Sequence, residues 1–203
     1  DRLMIPTLHW AQFGRGDVVA TSVSGVWDPG ISMGAALSGG GRTATFSYSG
    51  GTHSIAQSAI DHSSGKHYCE IVFVSGSKFG TDIPPLFSFN KEVSLIGNAQ
   101  SPTAYVLKGA LNTSGSALAE VMAGDTVMMA IDIDAAKVWF GVNGTWHSSG
   151  NPAAGTGETA SGIAAGSYRV KAVGYNTNSM VATANFTAPQ MTYGIPSGFS
   201  AWG

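Results

Sequence analysis

The stretch from Gly124 to Gly150, GDTVMMAIDIDAAKVWFGVNGTWHSSG, constrains this chain more than any other, because its spacing fits two consecutive β-hairpins and little else. Val127, Met129, Ile131 and Ile133 alternate with Met128, Ala130, Asp132 and Asp134, the period of two of a strand with one face on a core. The link Asp134-Ala135-Ala136-Lys137 ends that strand. Val138, Trp139, Phe140 and Val142 then return as β-branched and aromatic residues suited to a pleated, half-buried surface. Asn143-Gly144 supplies the pair that tolerates positive φ at both central positions of a type I′ turn, so a third strand is expected from Thr145.

Around this anchor the chain reads as more short strands. Tyr68 to Val74 is apolar at both parities, as in a central strand covered on both sides. Glu70 lies inside that run, where an unpaired carboxylate is costly, and Arg42, Lys66 and Arg169 are its candidate structural partners. Further strands are expected at Val18 to Val23, Ile31 to Leu37, Thr43 to Tyr48, Tyr168 to Tyr175 and Val181 to Phe186, with Ser38-Gly39-Gly40-Gly41 as a loop. Ser75 to Glu120 carries the least pattern, and Ser148 to Gly166, rich in Gly, Ala, Ser and Thr, reads as a long surface loop. Antiparallel spacing without a helical period predicts an all-β, two-layer antiparallel sandwich. Trp139, Phe140, Ile131, Ile133, Tyr68, Ile71 and Phe186 are the predicted core.

At 203 residues one sandwich can account for nearly the whole chain. The expected organisation is an apolar arm over residues 1–16 followed by the sandwich over residues 17–203. In the arm Leu3, Met4, Ile5, Leu8, Trp10 and Phe13 have no clean period, and Pro6 would interrupt a helix. Such a segment needs a surface, either the flank of its own sandwich or a neighbouring subunit. Leu3, Ile5, Leu8, Trp10 and Phe13 are therefore the candidate assembly residues, and a homo-oligomer is expected.

Composition narrows the function classes. Charged residues are 11 % of the chain and the net charge is −2, with ten Lys and Arg scattered along it, so there is no clustered basic face for nucleic acid. No apolar run is long enough for a membrane-spanning helix, and no membrane insertion is expected. The single cysteine, Cys69, has no partner for an internal disulfide. High Gly content, 28 residues, and a surface rich in Ser, Thr and Asn are often met in extracellular and virion proteins.

No catalytic constellation emerges, and the chain is read as not an enzyme. Gly30-Ile31-Ser32-Met33-Gly34 fits G-x-S-x-G, but the nucleophile elbow needs a helix after the serine and none follows. His9, His53, His62, His67 and His147 show no zinc-ligand spacing. Asp132 and Asp134 project from one strand face and are the best metal candidates, yet Asx residues at hairpin ends ordinarily bond their own turn. No metal and no cofactor are expected. Arg15-Gly16-Asp17 is the tripeptide read by integrins, a match too short to carry that role. Asn112, Asn143 and Asn185 head glycosylation sequons, two of them in or beside expected strands.

The order of Gly124, Asp125, Ala130, Asp132, Asp134, Trp139, Phe140, Asn143 and Gly144 resembles the late strands of SPRY domains. Ser64-Gly65-Lys66-His67-Tyr68-Cys69-Glu70-Ile71 is similar to that family's SGK-containing strand, and Ala182-Thr183-Ala184-Asn185-Phe186 to its closing strand. His67 and Cys69 stand where the family usually has bulky aromatics. The tail, with Tyr193, Pro196, Gly198 and Phe199, looks most like the microbial and bacteriophage branch. The resemblance implies a jelly-roll-type, concanavalin-like sandwich acting as a non-catalytic interaction module that binds protein partners through loops. Loops concentrate binding residues, and the candidates are Lys78, Phe79, Asp82, Asn90, Tyr105, Trp146, His147 and Asn151. The expected role is a virion component (fibre, spike or decoration protein) that binds a host-surface receptor or other virion subunits. The alternative is a glycan-binding, lectin-like module of a secreted or cell-surface protein, for which Tyr105, Trp146 and His147 offer faces to a sugar.

Overall fold

The computed structural model describes residues 24–32, 34–47, 54–76, 86–90, 104–107, 121–163, 165–174 and 180–203. The strands are β1 (Ala35–Ser38), β2 (Thr43–Phe46), β3 (Ser54–Gln57), β4 (Lys66–Ser75), β5 (Leu86–Asn90), β6 (Ala104–Leu107) and β7 (Thr126–Asp132). They continue as β8 (Lys137–Val142), β9 (Thr145–Trp146), β10 (Ala160–Ser161), β11 (Arg169–Gly174), β12 (Met180–Asn185) and β13 (Ser200–Ala201). Among the described residues helix is limited to three short 3-10 turns.

The strands form two sheets. The larger runs β1-β2-β12-β4-β7-β8-β10, with β9 beside β8 and β13 beside β4, and the smaller runs β3-β11-β5-β6. β4 is central, as its doubly apolar sequence predicts, but it is covered on both faces only as far as Ile71, since Val72 is part-exposed and Val74 exposed. β7 lies along one flank, while the other is shared by β12, over Glu70–Ser75, and by β13, which pairs in parallel with His67 and Tyr68. The expected double hairpin is present as β7-β8-β9. Asn143 and Gly144 take φ of 50° and 83°, as a type I′ turn requires. The Asn143 side chain ties the turn down by accepting from Thr126 N at 2.9 Å and donating to Asp125 Oδ1 at 2.7 Å.

The core lies between the sheets. Phe46, Ile71, Phe73, Val127, Met129, Ile131 and Phe140 of the large sheet meet Ala56, Val170 and Ala172 of the small one, with Trp27, Phe186 and Trp202 at the margins. All seven predicted core residues are buried, but they divide between two layers. Tyr68 and Trp139 belong to a separate apolar cluster on the opposite face of the large sheet. β7 is accordingly buried at every position, not on one face as its alternation suggests, because its outward residues include Met128 and Ala130 and a later segment covers them.

Three other local readings are corrected. The expected strand Ile31 to Leu37 begins only at Ala35. Asp28 Oδ1 accepts from Gly30 N at 2.7 Å and Asp28 O from Ser32 N at 3.1 Å, which closes the preceding residues into a turn. Residues 148–166 are not a free surface loop. Trp139 Nε1 donates to Thr156 O at 2.9 Å, Lys137 Nζ to Gly155 O at 2.8 Å, β10 pairs with β8, and Ile163 is buried. The otherwise open edge of β8 supplies these anchors. Glu70 is buried, as expected, but none of its three candidate cations reaches it. Arg42 donates to Asn185 Oδ1 at 2.7 Å, Lys66 pairs with Asp132 at 3.1 Å, and Arg169 pairs with Asp61 at 3.1 Å.

Candidate interaction surface

The outer face of the large sheet divides into a covered half and an open half. On the covered half Tyr68, Met128, Ala130 and Trp139 form an apolar layer beneath Met191, Tyr193, Ile195 and Phe199 of the C-terminal segment. Glu70 ties that segment to the sheet at Thr192 and Tyr193. Its carboxylate accepts from Thr192 N at 2.7 Å, from Tyr193 N at 2.8 Å and from Tyr68 OH at 2.8 Å. Backbone N–H donors solvate a buried carboxylate as well as a cation would, without a second buried charge. Burial, reinforced by the bond to Glu70, pushes the Tyr68 hydroxyl far above its ordinary pKa, so it remains a neutral donor. Further along, Trp202 N donates to Tyr68 O at 2.9 Å and Trp202 Nε1 to Ile60 O at 3.2 Å.

The open half is built on β1, β2, β12 and the far end of β4. Cross-strand register sets Val72 beside Thr183, Thr183 beside Thr43, Val181 beside Thr45, and Thr45 beside Ala36. All of these are partly or fully exposed. Val74 is 47 % exposed, and Met122, on the turn bonded to Phe73, is 57 % exposed. None of these side chains carries a charge. The Thr43 and Thr183 hydroxyls bond each other across this surface at 3.0 Å. An uncharged Val/Thr surface with two exposed large apolar side chains suits docking of a complementary surface.

The loop candidates fall into separate places. Trp146 lies on β9, half-buried, its ring edge against Tyr68 at a centroid distance of 6.1 Å. His147 follows it, with Nε2 buried and without a hydrogen-bond partner among the described residues. Asn151 is exposed, and its side chain accepts from Ala154 N at 3.1 Å to cap a 3-10 turn. Asn90 and Tyr105 sit on strands rather than loops, and the β5-β6 register brings them together, pairing Asn90 with Ala104 and Phe89 with Tyr105. Among the described residues nothing joins that pair to Trp146, His147 and Asn151. Lys78, Phe79 and Asp82 lie outside the described residues, as do the assembly residues Leu3, Ile5, Leu8, Trp10 and Phe13, the expected strand 18–23, Arg15-Gly16-Asp17 and Asn112.

The positions weighed for chemistry have structural occupations. Asp132 accepts from Ala135 N at 2.9 Å and pairs with Lys66, and Asp134 accepts from Gly65 N at 3.0 Å. No group of metal-ligating side chains occurs among the described residues. Ser32 Oγ accepts from Gln57 N at 3.3 Å, and its turn leads into a strand. Burial pushes the Cys69 thiol well above, and the Lys171 ammonium below, their ordinary pKa values. No helix among the described residues is long and apolar enough to cross a membrane.

Sequence reasoning missed the open half altogether. Its signal was present but weak: from Tyr68 to Val74 the outward parity passes from Tyr and Glu to Val and Val, and on the same face β2 carries Thr43 and Thr45 and β12 carries Val181 and Thr183 before Asn185.

No protein-family model matches this chain, and no curated protein matches it. Solved structures do share its architecture. The SPRY domain of human HERC1 is similar with a TM-score of 0.63 at 15 % identity, over 78 % of this chain and 96 % of that one. The PSpry domain of TRIM65 is similar with a TM-score of 0.51 at 12 % identity, over 78 % of this chain and 90 % of that one. At these identities the likeness concerns the fold, and the fold of this chain is a SPRY-like antiparallel β-sandwich.

Proposed function

We propose that the protein is a non-catalytic interaction module that binds a protein partner. The observation that carries this reading is the division of the outer face: the C-terminal segment covers one half, and among the described residues the other half stays an uncharged, partly apolar surface. The SPRY-like fold supports it, since the family that the sequence resembles consists of interaction modules. Within this reading the chain is a component of a bacteriophage particle, contacting other virion subunits or a host-surface receptor. Support for that finer role comes from the sequence: 11 % charged residues, six large apolar side chains within residues 1–16, and a tail like that of the microbial branch.

Light scattering on the full chain, on a chain lacking residues 1–16, and on Val74→Asp tests the reading, joined to a glycan array for the full chain. A particle component assembles above the monomer mass and returns to a folded monomer when the arm is removed. Loss of association in Val74→Asp locates the contact on the open half. A full-length monomer that binds a defined sugar overturns the particle role in favour of a lectin-like module.

A further inference from the structure

Two histidines that the interaction reading leaves unused meet at the foot of the C-terminal segment. The rings of His62 and His67 stack with centroids 3.6 Å apart and planes 13° from parallel. Trp202 stands edge-on to both, at 4.8 Å and 5.8 Å. His62 Nε2 lies 2.7 Å from the carbonyl oxygen of Trp202, and His67 Nε2 lies 2.9 Å from that of Ser64. A carbonyl only accepts, so both rings carry their proton on Nε2 and Nδ1 is the site left for a second one. Nδ1 of His67 is buried and has no hydrogen-bond partner. The same residues hold the chain end, since β13 pairs with His67 and Tyr68 and Trp202 is buried against them.

We propose that the His62–His67 stack is an acid-sensitive latch: protonation of the pair frees residues 191–203 and uncovers the apolar layer of Tyr68, Met128, Ala130 and Trp139. Protonation would set two cations face to face at stacking distance. Burial is the main influence holding the pKa of His67 below its ordinary value, and the nearby His62 acts in the same direction. The carbonyls of Ser64 and Ala201 and the carboxylate of Asp134 favour the charged ring without offsetting burial. The other charged groups nearby are engaged elsewhere. Lys66 pairs with Asp132 and lies over the Phe199 ring, and Asp61 is bonded to Ser167 and Arg169. Cys69 is a neutral thiol, and Glu70 binds the segment from the opposite face of the strand.

The sign follows from linkage. The closed state holds His67 neutral, while in the open state the ring titrates near its ordinary value of ~6.5. Closure is therefore at full strength above ~6.5 and weakens as pH falls towards the lowered pKa of the closed form. One unit of pKa difference corresponds to about a tenfold change in the closed-to-open ratio. The latch does not depend on which partner the open half binds.

Hydrogen exchange of the full chain, corrected for its intrinsic pH dependence and read at about pH 7.5 and about pH 5, on either side of the ~6.5 of free histidine, tests the proposal. Amides of residues 191–203 are expected to exchange faster at the lower pH, by about tenfold for each unit of pKa difference between the closed and open ring, while those of β7 and β8 stay protected. His67→Phe keeps a ring in the stack but cannot titrate, and should abolish the difference. Unchanged exchange in the native chain, equal opening in His67→Phe, or simultaneous loss of protection in β7 and β8 overturns the latch. If His67→Phe does not fold, the histidine ring protons of the native chain are titrated by NMR. An opening midpoint that follows the His67 ring supports the proposal, and one that does not follow it overturns it.

Discussion

The two halves of the large sheet's outer face meet on β4, yet one is a second core and the other a surface. Where the C-terminal segment crosses, the sheet offers Tyr68, Met128, Ala130 and Trp139. Where it does not, the same face offers Thr43, Thr45, Val72, Val74, Val181 and Thr183. Aromatic and Met side chains need cover, because each buries a large apolar area. Thr and Val satisfy β geometry while tolerating partial exposure. The side chains thus record which part of the sheet the C-terminal segment covers, and among the described residues the other part stays exposed.

The most severe way to break this contrast is to empty the covered layer. Trp139 is 1 % exposed, donates its indole N–H to Thr156 O, and meets Phe199 edge-on at 6.1 Å. Trp139→Ala should cost about 3–5 kcal/mol, the range for large-to-small core changes, and Phe140→Ala on the inner face should fall in the same range. A denaturant titration giving under about 1 kcal/mol for Trp139→Ala, against the range for a buried Trp, would show that the covered layer is not a core.

Glu70→Ala attacks the attachment instead of the layer. It leaves the Tyr68 hydroxyl and the N–H groups of Thr192 and Tyr193 without their acceptor. Hydrogen bonds to a charged group contribute roughly 1.5–3 kcal/mol, so the loss should be about 2–3 kcal/mol in equilibrium unfolding. Exchange should rise first in residues 191–199. Stability equal to the native chain would mean that the apolar contacts alone hold the segment.

What the sequence disclosed and what it hid follow the same division. The β7-β8-β9 hairpins, the Asn143-Gly144 turn and the burial of Phe140, Ile131 and Ile71 were readable, because turn chemistry and alternation are local. The burial of Glu70 was readable too, but its partners were not. They are main-chain N–H groups 122 and 123 residues away, and a backbone donor has no side-chain signature. The start of β1 was misplaced because an Asx turn at Asp28 outcompetes the apolar run. The anchoring of residues 155–159 escaped notice because its donors, Trp139 and Lys137, sit on a different element. Of the expected binding residues, Trp146, His147 and Asn151 come together in one stretch beside β8, whereas Asn90 and Tyr105 lie on the small sheet. The open half was missed because Thr and Val on a strand carry the same local signal whether they face solvent or a partner.

A subtler probe compares the turns of the two halves. Gly144 has φ of 83°, and a Cβ there would stand 2.9 Å from the Tyr193 ring, whereas Gly40, φ 68°, has open space around it. Both alanine variants incur the left-handed backbone cost of about 1–2 kcal/mol. Gly144→Ala should lose more, because Tyr193 must also shift from the covered layer. Equal losses in thermal unfolding would mean that Tyr193 yields freely and that the cover is loose at its edge.

The smallest effect is expected on the open half, and there it is the most informative. Thr183→Val removes a hydroxyl that bonds Thr43 at 3.0 Å, but both residues are part-exposed and the freed Thr43 hydroxyl can turn to water. The change should stay within about ±0.5 kcal/mol, as for surface substitutions generally. The variant also makes the strip more apolar without altering its shape. If this half docks an apolar surface, self-association or partner binding should strengthen while stability stands still. A stability loss above about 1 kcal/mol, well beyond that surface range, would show that the supposed surface is covered, and the contrast between the two halves would collapse into a single buried sheet.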